Sequence, residues 1–225
     1  MRYAVVIPAA GQGKRMGANE NKLMLQLQGK PIIVWTVEAF ARDTWCDAII
    51  LAIRPEEEPW FRSMLNHIPT PITYVTGGKE RQESVRAGLH AVTRDGVVLI
   101  HDGARPFIRV EQLRQVAQAG QTGGAILAVP VKDTVKQVDA GQITRTVPRE
   151  TLWLAQTPQA FPIERIRRIH DEAAAQTFTG TDDASLFEWA GHEVAVIPGD
   201  YHNIKITTPE DLLFGEAILT KEDYR

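Results

Sequence analysis

Cysteine is almost absent from these 225 residues: Cys46 is the only one. A lone thiol forms no intramolecular disulfide and no Cys-rich zinc site, which fits a reducing compartment. Long apolar runs are missing too. No segment approaches the ~20 apolar residues of a membrane span, and the first strand candidate begins almost at Met1 with no apolar leader ahead of it. The expectation is a soluble, cytoplasmic chain without a membrane partner. Nor is positive charge in excess. With 25 Lys and Arg against 28 Asp and Glu, the formal net charge is -3, which argues against a general nucleic-acid binder with its strongly basic surface. Internal repeats and low-complexity segments are lacking as well.

What is there can build one sizeable core. A hydrophobic content of 44% over 225 residues predicts a single domain, 1–225, with a small protruding subdomain. Apolar runs recur at Tyr3–Ile7, Ala48–Ile53, Thr73–Val75, Val97–Ile100, Ala125–Val129 and Glu193–Ile197. Several lack the alternation of a half-wet sheet and so read as strands covered on both faces. Helical patterns lie between them at Ile32–Ala41, Arg81–Val92, Val110–Ala119, Ile163–Gln176 and Asp183–Ala190. This alternation predicts an α/β sandwich with a mostly parallel sheet, whose sites lie at the carboxyl ends of the strands. Asp133–Val138 and Gln142–Val147 break the pattern: around Asp139-Ala140-Gly141 they read as a β-hairpin. It is either a small flap or an arm that packs on a second subunit.

The run Pro8-Ala9-Ala10-Gly11-Gln12-Gly13-Lys14-Arg15-Met16 carries the first chemistry. Two glycines, exposed amides and adjacent cations directly after a strand suit a polyphosphate. A Walker A loop loses ground, because Arg15 follows Gly13-Lys14 and no glycine stands five residues earlier; a dinucleotide fingerprint loses ground because Met16 stands where a third glycine belongs. A nucleoside triphosphate remains, with Arg15 and then Lys22 beside its phosphates; a solvated loop lysine is the plainer account of Lys22. Asp102, after the strand ending at Ile100, is either a Mg²⁺ ligand bridging to substrate phosphates or a turn cap. His101 reads as a satisfied structural histidine. Arg105 either grips an anionic acceptor or makes a surface ion pair. In Gly77-Gly78-Lys79-Glu80-Arg81-Gln82-Glu83-Ser84, the hydroxyl of Ser84 receives nucleotide groups or bonds its own helix. Lys205, at a strand-like end, is the functional candidate of its segment, while Thr208 before Pro209 caps the last helix. Either Asp182 caps its helix or Thr181 reaches an acceptor.

Taken in order, these motifs, together with Gly29-Lys30-Pro31, Pro130-Val131-x-Asp133-Thr134, Thr157-Pro158-Gln159 and Asn203-Ile204-Lys205, resemble the 2-C-methyl-D-erythritol 4-phosphate cytidylyltransferases of the non-mevalonate isoprenoid pathway. The resemblance covers essentially the whole chain. It implies a three-layer Rossmann-like nucleotidyltransferase fold with a protruding β-hairpin arm. It also implies transfer of a cytidylyl group from CTP to 2-C-methyl-D-erythritol 4-phosphate. By the same resemblance, Pro8, Ala9, Ala10, Gly11, Gly13, Gly78, Arg81, Ser84, Asp102 and Gly103 would bind CTP. Arg15, Lys22 and Lys205 would act on the phosphates, and Asp102 would help hold Mg²⁺. The acceptor contacts would fall on Arg105, Thr134, Arg149, Thr157, Thr181 and Lys205. The hairpin, 133–149, would clasp a neighbouring subunit and make the protein a homodimer with arm exchange.

Two departures from that pattern stand out. Gly103 occupies a place where alanine is frequent, which predicts a looser loop. Glu20-Asn21-Lys22-Leu23-Met24-Leu25 replaces the usual Pro-Lys-Gln-Tyr/Phe-Leu. The nearest rival reading is a ribitol 5-phosphate or other polyol-phosphate cytidylyltransferase, which would keep the nucleotide half of the site. A nonenzymatic nucleotide-sensing or scaffold protein is the rival of another class.

Overall fold

The first strand, β1 (Tyr3–Pro8), shows why the chain layers as it does. Its side chains alternate between two separate cores. Tyr3, Val5 and Ile7 enter one and Ala4 and Val6 the other, all fully buried, so both faces of the sheet must be covered. A computed structural model describes residues 1–11 and 21–220. Gly13 and Arg15 of the phosphate loop lie outside the described residues.

After β1 come the two-residue strands β2 (Gln26–Leu27) and β3 (Lys30–Pro31), then α1 (Ile32–Ala41), β4 (Cys46–Ile53), α2 (Glu58–Met64), β5 (Ile72–Thr76), α3 (Arg81–Ala91), β6 (Val97–Ile100), α4 (Val110–Ala119) and β7 (Gly124–Pro130). The hairpin β8 (Val135–Asp139) and β9 (Gln142–Val147) follows, then β10 (Trp153–Pro162), α5 (Ile163–Ala175), α6 (Asp183–Trp189), β11 (Val194–Pro198) and α7 (Pro209–Leu219). The main sheet has seven strands in the order β11-β7-β10-β6-β1-β4-β5. One core packs α1, α2, α4 and α7 on the Val5 face, and the other packs α3, α5 and α6 on the Val6 face. The fold is an α/β Rossmann-like sandwich of three layers.

Among the elements that go beyond what the apolar pattern predicts are α2 and β10. The second matters more, because β10 runs antiparallel between β6 and β7 in the middle of an otherwise parallel sheet. Its two prolines argue against a central strand. The chain accommodates them by a register shift between Gln156 and Gln159 that spans Pro158, and by leaving Pro162 as the last residue. Conversely, the strand-like stretch at Asn203–Lys205 is irregular chain, tied to the sheet edge by Ile206 N–H donating to the Ala104 carbonyl at 2.9 Å. Thr208 caps α7 as expected, its hydroxyl accepting from the Asp211 amide. No helix among the described residues is long and apolar enough to cross a membrane.

Candidate active site

From β1 the chain builds outward through β4 to β5, then returns to place β6 on β1's other side. The strand order therefore reverses at β1, and the crevice outside the carboxyl ends of such strands is where open α/β sheets bind ligands. A cleft of about 400 Å³ opens there. Pro8, Ala9, Ala10 and Gly11 leave β1 into it; Gly78, Lys79, Glu80, Arg81 and Ser84 enter from the start of α3. Asp102, Gly103 and Ala104 follow β6, while Lys22, Leu23, Lys205 and Thr207 arrive from the connecting segments.

Asp102 is the electrostatic hub. One carboxylate oxygen accepts from Arg81 Nε at 3.0 Å, the other lies 2.7 Å from Lys205 Nζ, and Arg105 Nε stands 3.9 Å away. Burial by itself would push this carboxyl up. Arg81 first, then Lys205 and Arg105, overcome it and hold the group well below the usual carboxylate range. Arg81 also donates from Nη2 to Asp183 at 2.7 Å, and Asp183 in turn meets His170 Nε2 at 3.2 Å; both are fully buried. Asp102 does not cap the turn with its side chain, since the Arg105 amide bonds its backbone carbonyl.

His101 beside it is structural, as expected. Fully buried, it places Nε2 3.0 Å from the Arg105 carbonyl and Nδ1 3.2 Å from the Thr157 hydroxyl. A carbonyl only accepts, so Nε2 carries the proton and Nδ1 accepts from Thr157, whose oxygen also receives the Asp102 amide at 3.0 Å. Burial accordingly lowers the His101 pKa to about 4. At the mouth of α3, Glu83 ties down the loop by accepting from the Lys79 amide at 2.7 Å. A Cβ on Gly78 would sit 2.2 Å from Glu83 Cβ, so this turn closes only on glycine. Ser84 is buried and receives the Gly78 amide at 3.1 Å, while bonding the Glu80 carbonyl at 3.2 Å. Its hydroxyl shapes the loop from beneath.

Comparison with known proteins decides the family. A family model described as IspD: 2-C-methyl-D-erythritol 4-phosphate cytidylyltransferase matches residues 3–221. The chain belongs to the IspD family. A 2-C-methyl-D-erythritol 4-phosphate cytidylyltransferase of Bacillus licheniformis is 54% identical over 99% of this chain and 97% of its own length. That of Halalkalibacterium halodurans is 50% identical over the whole of both chains. Among solved structures, the 4-diphosphocytidyl-2C-methyl-D-erythritol synthase of Anaerococcus prevotii superposes with a TM-score of 0.87 at 33% identity, covering 98% of this chain and 96% of the other. The Thermus thermophilus enzyme gives 0.83 at 34% identity, covering 98% and 100%.

The residues that the IspD resemblance assigns to the nucleotide meet in this cleft, save Gly13 and Arg15, which lie outside the described residues. Lys22 and Lys205 join them. Arg81 is one of the group, but its guanidinium is occupied by the two aspartates. The acceptor group behaves differently: of its six members, only Lys205 lines the cleft. Arg105 donates from Nη1 to the Asn203 carbonyl at 2.7 Å, and Thr157 is turned inward to His101 and Asp102. Thr181 is exposed at a small hollow beside Asp183, and Asp182, not Thr181, caps α6 by accepting from the Ser185 amide at 2.9 Å. Thr134 and Arg149 flank the hairpin, exposed; Arg149 bonds the Lys132 carbonyl. At Gly103, Leu23 packs into the space that a methyl would take, its Cδ1 only 2.9 Å from such a Cβ. Leu23, Lys79, Glu80, Ala104 and Thr207 line the cleft without having been singled out from the sequence.

Proposed function

We propose that this chain transfers the cytidylyl group of CTP to 2-C-methyl-D-erythritol 4-phosphate, releasing pyrophosphate and 4-diphosphocytidyl-2-C-methyl-D-erythritol. The observation that carries the reading is the meeting of the amide-rich segment 8–11, Lys22, Asp102 and Lys205 in one cleft at the topological switch point. A phosphate oxygen of the acceptor attacks the α-phosphorus in line, and the bond to the bridging oxygen of the departing pyrophosphate breaks. The attacking oxygen is already anionic near neutrality, since the second pKa of a phosphate monoester is about 6. No general base is needed, and the buried, doubly bonded His101 offers none.

Catalysis is then alignment of two polyanions and stabilisation of the charge that builds at phosphorus. Lys22 and Arg15 steady the α-phosphate, and Lys205 spans the triphosphate and the acceptor phosphate. Among the described residues no cluster of three or more His, Cys, Asp or Glu offers a closed metal cage. The site nevertheless fits Mg²⁺, which takes most of its ligands from water and phosphate and needs only one or two carboxylates. Asp102 would hold it, since its two oxygens have lone pairs beyond those given to Arg81 and Lys205. The ion would neutralise charge on the triphosphate.

Pyrophosphate release from CTP with a panel of acceptors tests the reading. Turnover is expected with 2-C-methyl-D-erythritol 4-phosphate; turnover with ribitol 5-phosphate alone would overturn the acceptor assignment, and CTP binding without any turnover would make the protein a sensor.

The scattered acceptor residues suit a site completed by a second copy. On the hairpin and the start of β10, Val138, Ile143, Trp153 and Leu154 are 56%, 64%, 44% and 55% exposed, an apolar surface that favours burial. Arm exchange between two copies covers it and brings Thr134 and Arg149 to the partner's cleft in two identical sites. A cytoplasmic setting completes the proposal. Sedimentation equilibrium should give a dimer mass, and Val138→Lys with Ile143→Lys a monomer; a monomer mass for the intact chain at micromolar concentration would rule the exchange out.

A further inference from the structure

Lys22 enters the cleft from a single 3-10 turn, Lys22–Met24. So short a turn has little rigidity of its own, because few backbone bonds fix it. Two sets of contacts hold it from opposite sides. On one side Asn21, 1% exposed, donates from Nδ2 to the Ala9 carbonyl at 2.8 Å and to Glu57 Oε2 at 3.1 Å, while its Oδ1 accepts from the Leu23 amide at 3.1 Å. Two acceptors face the NH₂ and a donor faces the oxygen, so the amide has one satisfying orientation. Glu57, itself buried, is held by Arg54 through its other oxygen. On the other side Leu23, 4% exposed, fills the space beside Gly103. A Cβ there would meet Leu23 Cδ1 at 2.9 Å, Ile33 Cδ1 at 3.2 Å and Ile7 Cγ2 at 3.3 Å.

The residues flanking Lys22 thus tie its backbone to the ends of two different strands. Ala9 follows β1 and Gly103 follows β6, the two strands whose exits frame the cleft. We infer that Asn21 and Leu23 are positioning residues: they fix the Lys22 backbone relative to the Asp102 edge, with Glu57 setting the Asn21 amide and Gly103 leaving room for Leu23. The inference rests on the reading of Lys22 as the cation at the α-phosphate. It explains why a short turn can carry a group whose placement must hold to a fraction of an ångström, since a 1 Å error can cost about 100-fold in rate.

Six variants test it, assayed as full-length protein for kcat and for KM of CTP, with melting temperatures recorded alongside. Gly103→Ala should lower kcat by about 10- to 100-fold with KM for CTP changed less than about threefold, the split of a contact made in the transition state. Adding Leu23→Val, which withdraws the clashing methyl, should recover at least about tenfold of that loss; a steric effect unconnected with Leu23 would not be relieved. Asn21→Asp keeps the shape but sets a carboxylate against Glu57 and the Ala9 carbonyl. It should lower kcat in the same way, with partial recovery when Glu57→Gln restores a donor.

In a Lys22→Ala background, Gly103→Ala should add little further loss, because residues that act through one group are not additive. Full turnover by Lys22→Ala would refute the reading of Lys22 itself. An inactive Lys22→Ala combined with an unaffected Gly103→Ala, or with a loss that Leu23→Val leaves unrelieved, would overturn the positioning role alone. A Gly103→Ala chain that fails to fold leaves Asn21→Asp and its Glu57→Gln rescue to decide: kcat unchanged, or lost without rescue, overturns the inference.

Discussion

Lys22→Ala should lower kcat for cytidylyl transfer by about 100- to 1,000-fold, on the order of 3 kcal/mol of transition-state stabilisation, while KM for CTP should move far less. The direction follows from where charge changes. In the proposed reading, loop amides and Lys205 would already offset charge along the ground-state triphosphate, whereas the α-phosphorus gains oxygen density only as the acceptor arrives. A cation aimed at that point is worth more in the transition state than in the complex, so its loss falls on kcat. Lys22→Arg should recover part of the rate, because the charge returns on a planar fork that does not match a point ammonium. Thermal unfolding should change less than turnover, since Asn21 and Leu23 anchor the turn. Steady-state pyrophosphate release checks it; kcat within about threefold of the parent would remove Lys22 from the chemistry.

The cleft was legible in the sequence where its parts are local. A strand running into the amide-rich segment 8–11, a strand ending in Asp102, and the Gly78 turn into α3 each carry their meaning in a few neighbouring residues, and each lines the cleft. Hairpin and sheet class were legible for the same reason, through period and turn chemistry. What stayed hidden depends on partners far along the chain. Arg81 reads as a nucleotide contact, but its pairing with Asp183, 102 residues away, and with Asp102 shows only in space. Asn21 and Glu57 are 36 residues apart and have no shared pattern. Gly103 and Leu23 look like two unrelated departures from the family, and in space they are one complementary contact. Strand β10 is the clearest case. Its prolines speak against a strand locally, and only the register shift opposite β7 shows how the sheet admits them.

Asp102→Asn should impair both turnover and stability, and the two losses separate by pH. Asparagine keeps the shape and one acceptor but removes the charge shared by Arg81, Lys205 and Arg105. Arg81 keeps Asp183; Lys205 keeps neither its 2.7 Å partner nor a carboxylate with which to fix its approach to the phosphates. Turnover should fall by about 10- to 100-fold, the range seen when a group that orients a charged site is lost. For stability, removing one partner of a buried pair costs about 3–5 kcal/mol; Lys205 and Arg81 retain contact with water, which reduces the expected loss to about 2 kcal/mol. The sign with pH follows from linkage. Burial raises the Asp102 pKa, but Arg81 and Lys205 outweigh it and hold the folded value below the unfolded value of about 3.9. The contribution of the charge is therefore present above that pH and lost as pH falls through the folded value. Urea midpoints of parent and variant should differ by a constant amount from pH 7 to about 5 and converge below about 4. A difference that persisted undiminished at pH 3.5 would mean that the hydrogen-bond geometry of Asp102, rather than its charge, holds the three cations in place.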